Sequence, residues 1–338
     1  MIKPIIFCFL VVFGSLFFGY FIQRKRYLRN PEEVSSLIVR NTFRFVSPII
    51  LCLSFWRLDI KNASVWTLPL VGMSISTVVL FLAMHLVSLH KLTPKESGSY
   101  ITSAMFSNVG YTLGGFLCFV LFGEIGLALA IMYTLYYTPY FYTVGFYVAR
   151  HYGLEKKAGV KKTLKQRFTP LEVFSSREKR KELLTGFIED IRFFPFIGFI
   201  AGVILNLANV PRAPVFTDIN RVLVPVATVG YFSSIGLTFR FSTVKKYKAV
   251  CLSMSAIKFA VSPAIGLCLA YLMGYHKVMG GLPMKVVIIE SAMPVAFAAL
   301  LLTVLFDIDR DLTNACWLVT TLMMVIVIPI LASLISVF

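Results

Sequence analysis

Charge is what this sequence lacks most. Only 14% of its 338 residues are Asp, Glu, Lys or Arg, while 58% are hydrophobic; a soluble globular chain carries about 25% charged residues. A single water-exposed domain of this composition could not cover its own apolar surface. Acidic residues are scarcer still, 16 against 33 Lys and Arg, and there are only 4 His. Cysteine is present but never clustered. Cys8, Cys52, Cys118, Cys251, Cys268 and Cys316 all sit inside apolar runs with no Cys-x-x-Cys pair, which speaks against a disulfide framework or a zinc site. Also missing are a nucleophile elbow, a Walker loop, a zinc signature and a glycine-rich dinucleotide motif. No polar stretch is long enough for a nucleotide-binding domain. These absences disfavour hydrolases, ATP-driven pumps and dinucleotide enzymes, and they leave no enzyme activity, metal or cofactor to expect.

What is there is a series of apolar blocks. Each runs for roughly 18–25 residues, the length that carries a helix across a ~30 Å hydrocarbon core. Lipid offers no partner to backbone groups, so such runs must be helical; a β-barrel would show short alternating segments instead. The spans are predicted at 4–22, 36–56, 64–89, 98–122, 125–149, 193–210, 218–239, 246–274, 283–306 and 311–337. The fold class expected is therefore an all-α membrane protein of ten transmembrane helices. The first span resembles a signal peptide but runs into Arg24, Lys25 and Arg26 without a small-residue cleavage site, so it is read as retained.

The net charge of +17 first suggests nucleic acid. Its distribution points elsewhere, because the basic residues fall between the apolar runs, where they set orientation. One group holds Arg24, Lys25, Arg26, Arg29, Arg240, Lys245, Lys246, Lys248 and a long basic stretch over 150–190; the opposite group holds only Lys3, Arg57, Lys61, Arg212, Arg221, Lys277 and Lys285. No nucleic-acid partner is expected. Both termini are placed on the non-cytoplasmic side of a plasma or inner membrane, and 150–190 is read as a cytoplasmic linker between two halves, 1–149 and 191–338.

Laying Ser107 on Ser291 aligns span against span through both halves. Phe116–Phe122 then falls on Leu300–Phe306, Gly14 on Gly198, and Leu53 on Leu237. Five spans per half is odd, so two such repeats must be inverted in the membrane, the plan of many secondary transporters with a site at the repeat interface. Broken helices mark such sites. In span nine, Glu290, Ser291 and Pro294 interrupt an apolar run, and proline removes a helix donor. In span four the matching place is Ser107, Asn108, Gly110 and Tyr111, with Gly110 falling on Pro294. If the two breaks cross, half-helix N-termini can offer donors to an anion.

Lys258 lies in mid-span, where a charge costs at least ~2.5–3.5 kcal/mol on insertion scales and needs a partner or a wet cavity. The expectation is that Lys258 and Glu290 share one polar cavity. Lys258 would supply positive charge for an anion, and Glu290 would pair with it or take up a proton; a purely structural ion pair is the alternative. Tyr133, Tyr136, Tyr137, Tyr140 and Tyr142 crowd span five, with one or two expected to face the cavity. His85 is read as interfacial.

At these residues the chain resembles the auxin efflux carrier family, which includes PIN-type exporters and malonate-type carriers. The pieces that carry the resemblance are 107–111, 121–130 and 291–296, supported by 19–24, 45–50 and Pro329. The resemblance implies spans four and nine crossing. It also implies an elevator-like transport bundle (spans 3–5 and 8–10) moving against a scaffold (spans 1, 2, 6 and 7). A small organic anion such as a carboxylate would bind around Asn108, Tyr111, Ser291 and Pro294. Gly110 departs from the family, in which a proline is common near the first break. A proton or sodium is the coupling partner to consider, and a homodimer the assembly. Two other readings stay open: a sodium-coupled carrier like the bile acid symporters, which share the crossing, and a carrier-like sensor that binds without transport.

Overall fold

The computed structural model describes residues 2–58, 60, 62–154, 194–238 and 244–336. Most of the basic stretch over 150–190, and Arg240, lie outside the described residues. What is described is helical, with a single isolated β-bridge.

The helices are α1 (Ile2–Arg24), α2 (Pro31–Asn41), α3 (Ser47–Arg57), α4 (Leu68–Leu89), α5 (Pro94–Met105), α6 (Leu113–Thr134), α7 (Tyr137–Tyr140) and α8 (Phe146–Leu154). After the undescribed segment come α9 (Phe194–Leu207), α10 (Val215–Leu237), α11 (Lys248–Ala256), α12 (Ser262–Leu272), α13 (Leu282–Ser291), α14 (Phe297–Phe306) and α15 (Arg310–Ile335). Among the described residues, 6 helical stretches are long and apolar enough to cross a membrane, and Phe194–Leu207 and Phe297–Phe306 are shorter apolar helices. Leu10, Phe18, Leu252, Leu272, Val304 and Ile326 stand exposed, as lipid-facing side chains do.

Proline and glycine place the punctuation. Pro31, Pro48, Pro69, Pro94, Pro263 and Pro283 each sit in the first turn of a helix or of its α-helical segment, where the missing N–H is no loss. Pro48 and Pro263 have helix before them as well. There the chain widens into π-turns at Thr42–Val46 and Ile257–Val261, the usual accommodation of a proline in a continuing helix. The second π-turn carries Lys258. The stretch Leu113–Gly153 is 41 residues long, about 60 Å if straight and too long for one crossing. It is not straight. Gly123 has φ 69° and ψ −155°, a conformation reserved for glycine. Across that reversal a Cβ on Gly126 would fall 2.6 Å from the Cys118 carbonyl, so α6 is two segments folded against each other.

Close helix pairs rest on small residues, as lipid-embedded packing requires. In α1, Gly19 abuts Ser233 and Gly236 of α10; in α9, Gly198 and Gly202 abut Pro48 and Cys52 of α3. The polar contacts gather at two ends. At one, Glu124 meets Arg57 and Arg212, and Thr67 meets Tyr275. At the other, Lys95 meets Asp307, Lys246 meets Glu96, and Tyr247 hydrogen-bonds both Glu96 and Asp309. Between them lie the two interrupted helices, in a core that is mostly apolar but also buries Lys258, Glu290, Asn108 and several Ser and Thr side chains.

Candidate functional site

The first interruption separates α5 from α6 over 106–112, and the second separates α13 from α14 over 292–296. Both breaks leave backbone groups without helical partners, which is costly away from water. They answer each other. Asn108 N donates to the Pro294 carbonyl at 2.8 Å, and Ala296 N donates to the Phe106 carbonyl at 2.9 Å. Ser107 and Val295 form the antiparallel bridge between them. Pro294 therefore acts through its carbonyl as well as through its missing donor. Val295 N is taken by Thr320 Oγ1 of α15 at 3.2 Å.

Gly110 shows why that position departs from proline. Its φ is +66°, which the fixed φ of proline forbids, and its N–H donates to Glu290 Oε2 at 2.9 Å. Proline has no such donor. The side chain of Thr134 fills the space where a Cβ would go.

Lys258 and Glu290 are both fully buried, but no ion pair joins them. Lys258 Nζ donates to the carbonyls of Ala104 (2.7 Å) and Phe106 (3.1 Å) and to Ser107 Oγ (2.8 Å). All three ammonium donors are used, and they are used at the C-terminal end of α5, where helix carbonyls gather negative partial charge. Glu290 lies instead at the start of α6. Besides Gly110 N, its carboxyl abuts Gly114 and has the Cys118 thiol 3.9 Å away. Thus the expected pairing is replaced by two separate caps, a cation on the end of one half-helix and a carboxyl at the beginning of the next. The α6 N-terminus, predicted to offer itself to an anion, is met in this conformation by the chain's own Glu290. Nothing comparable caps α14, where Ala296 supplies no side-chain bond.

The remaining predicted residues gather close by. Asn108 is buried; its Oδ1 accepts from Thr112 Oγ1, and its Nδ2 has no partner. An unanswered buried amide donor is costly. Ser291 hydrogen-bonds back to Ile288 O and abuts Gly266. Ser107, Glu290 and Ser291 line a cavity of about 10 Å³ together with Ser76, Tyr133, Tyr136 and Ser262. Tyr111 points the other way, into a second cavity of about 20 Å³ against Ser47, Thr228 and Tyr231 of the neighbouring helices. Each is about large enough for one water, so the crossing is closed around its polar groups. Tyr133 and Tyr136 are the span-five tyrosines that face in; Tyr136 is held by Ser76 at 2.7 Å, and Tyr140 bonds to Thr77.

Several participants were not picked out from the sequence. Thr134, Thr320 and Cys118 are apolar-run residues whose positions depend on how three helices cross. Glu124 is the larger omission. It is buried, and its two oxygens accept from Arg212 at 2.7 and 3.0 Å, from Asn220 Nδ2 at 2.9 Å, and from Arg57 and Thr217 at 3.3 Å. The signal that could have found it is a lone carboxylate beside a glycine between two apolar runs, facing basic loops.

Gly114 offers a direct test of the Glu290 cap. A Cβ there would lie 2.5 Å from Glu290 Oε2, so the carboxyl must leave Gly110 N. Gly114→Ala should still fold, because position 114 is ordinary helix and alanine is the best helix former. Stability in detergent, read as the melting midpoint, should fall by the worth of one charge-assisted hydrogen bond, about 1.5–3 kcal/mol; an unchanged midpoint would mean that the Glu290 cap does not support the start of α6.

Three comparisons bear on identity. The family described as "Membrane transport protein" matches residues 1–332. An uncharacterized transporter of Methanothermobacter thermautotrophicus is 23% identical over 303 residues, covering 88% of each chain. An uncharacterized transporter of Methanocaldococcus jannaschii is 28% identical over 242 residues, covering 71% of this chain and 69% of its own. This chain belongs to the membrane transport protein family and is an integral, multi-pass membrane protein.

Proposed function

We propose that this member of the membrane transport protein family is a secondary carrier that moves a small organic anion, such as a carboxylate, by alternating access. The observation that carries the reading is the meeting of the two helix breaks through Asn108–Pro294 and Ala296–Phe106, with Lys258 Nζ 3.1 Å from the Phe106 carbonyl and 2.8 Å from Ser107 Oγ in the first break. Irregular backbone at membrane depth is tolerated only where it is buried in protein or lines a cavity. A cation beside it lowers the cost of bringing in negative charge.

The ten spans form two inverted repeats in this reading. The helix pairing supports it: α1 lies on α10 and α9 on α3, the exchange expected when spans one and six, and two and seven, are repeat mates. Those four spans are the scaffold. The bundle is α4 to α8 with α11 to α15, and it carries the crossing past the scaffold at the cavity lined by Tyr111, Ser47, Thr228 and Tyr231. The ligand carboxylate is taken by Asn108 Nδ2, which has no partner, with Ser107, Gly110, Ser291 and Pro294 around it and Tyr111 lining the separate cavity on the scaffold side. Lys258 contributes its charge rather than a hydrogen bond, since its three donors are engaged. Glu290 has no cation against it, and a coupling proton or sodium arriving there would neutralise it. In this reading both termini lie outside, as the basic-residue asymmetry suggests; independently, an inside-negative potential favours anion exit by ~2.3 kcal/mol per charge per 100 mV.

Proteoliposomes loaded with labelled malonate, indole acetate or a bile acid, with proton and sodium gradients imposed separately, test the reading in one panel. At least one carboxylate should show saturable, gradient-dependent flux that is lost in Asn108→Leu. Stabilisation by a carboxylate without flux of any anion would identify a sensor instead.

A further inference from the structure

Near the Glu124 cluster lies an open cavity of about 650 Å³. That volume falls within the range of small-molecule sites, and its lining shares no residue with either water-sized cavity at the crossing. Its wall is apolar and partly aromatic: Phe7, Phe119, Val120, Phe122 and Pro225. Its charged lining is Lys3, Arg57, Arg221 and the buried Glu124. Arg221 is paired with the exposed Asp218, and Glu124 is already held through both oxygens by Arg212. Counting Arg212 and Asp218, four cations face two carboxylates, so the vestibule is net positive.

Arg57 is the group free to change partner. It reaches Glu124 with one long bond of 3.3 Å while its side chain stays 51% exposed. Arg212, by contrast, is 10% exposed and bidentate on the same carboxylate. An arriving carboxylate can therefore take Arg57 without leaving Glu124 uncompensated. The vestibule also leads inward. Phe116 lines the Tyr111 cavity, and its ring lies 6.2 Å from that of Phe7 in the vestibule wall. Along α10, Val224 and Thr228 line the inner cavity, and Arg221 and Pro225 line the outer one. The two spaces are stacked about one helical turn apart, with the Phe7–Phe116 pair between them.

We propose that this vestibule is a docking site for an organic anion with an apolar or aromatic body, its carboxylate held by Arg57 in the field of Lys3 and Arg221. Its use as an antechamber to the crossing rests on the carrier reading above; its chemistry does not. Basic residues around a low-dielectric mouth also raise the local concentration of an anion before it binds deeper.

Photolabelling tests this on the full-length protein in phosphatidylcholine vesicles, with tritiated 4-benzoylbenzoate as the probe. Label should fall on the peptides around Phe7 and Phe119–Ile125 and be displaced by unlabelled benzoate. In Arg57→Gln/Arg221→Gln it should drop at least about tenfold, the scale of one charge-assisted hydrogen bond. Glu124 keeps Arg212 in that variant, so its melting point should stay near wild type. Label on those peptides that ignores the double substitution overturns the proposal. So does label blocked by added phosphatidylglycerol but not by benzoate, which would make the vestibule a lipid-headgroup site. Arg57-dependent labelling with no flux of any anion would sink the carrier reading and leave the site standing; flux without such labelling would sink the site alone.

Discussion

If the proposed carrier reading holds, replacing Lys258 with methionine is expected to reduce flux by about a hundredfold or more. Methionine fills much of the same volume but strands the Ala104 carbonyl, takes a donor from Ser107 Oγ and leaves the Phe106 carbonyl with Ala296 N alone. Each buried polar group left without a partner costs about 1–3 kcal/mol, and each 1.4 kcal/mol is tenfold in an equilibrium. The end of α5 also loses the cation that offsets its dipole. Glu290→Gln is the companion. Glutamine can still accept from Gly110 N, so the fold should hold while the charge is gone. Exchange of labelled for unlabelled substrate should then persist, whereas flux driven by a proton or sodium gradient should collapse. Initial rates in proteoliposomes, with monodispersity of the purified variants checked first, decide both. If the doubly neutralised protein transports at the wild-type rate, neither residue belongs to the mechanism.

The second large effect is on stability. Glu124→Ala removes the carboxylate on which Arg212, Arg57, Asn220 and Thr217 converge. Arg212 is left largely buried with its charge unanswered, and breaking such a pair costs about 3–5 kcal/mol. The fluorescence-detected melting midpoint in detergent should fall sharply. Glu124→Gln, which keeps an acceptor for Arg212 or Asn220, should fall less, and Arg57→Gln hardly at all, because Arg57 is half exposed and its bond is longer than either Arg212 bond. An alanine variant that melts with wild type would mean that the cluster is only a surface network. In the carrier reading this contact also joins the moving bundle, through Glu124, to the scaffold, through Arg57, Arg212 and Asn220.

Much of this was legible in the sequence because lipid leaves a chain few options. Ten apolar runs lead to an expectation of ten spans, and among the described residues six helical stretches are long and apolar enough to cross a membrane, with two shorter apolar helices beside them. A proline in one run, and an asparagine with glycines at the matching place in another, marked the breaks. Mid-membrane charge singled out Lys258 and Glu290. What was not legible is how those groups are shared out. Pairing Lys258 with Glu290 was the simple expectation for two opposite charges in hydrocarbon, but each found a backbone partner at a different half-helix end, a matter of a few ångströms that no spacing encodes. The π-turn at Ile257–Val261 that carries Lys258 inward is a local response to Pro263. The Glu124 cluster joins residues from three separate stretches of chain, around 57, 124 and 212–220, and charge counting sees only that two of them are basic.

The reciprocal bonding of the two breaks has a further consequence. Phe106 and Asn108 find their backbone partners in Ala296 and Pro294, and the end of α5 finds its cation in Lys258. Neither half of the polypeptide is self-sufficient in hydrocarbon. They are obligate mates, in the way two subunits of a dimer would be had they never been tethered, and inserting one without the other would leave peptide groups bare in oil.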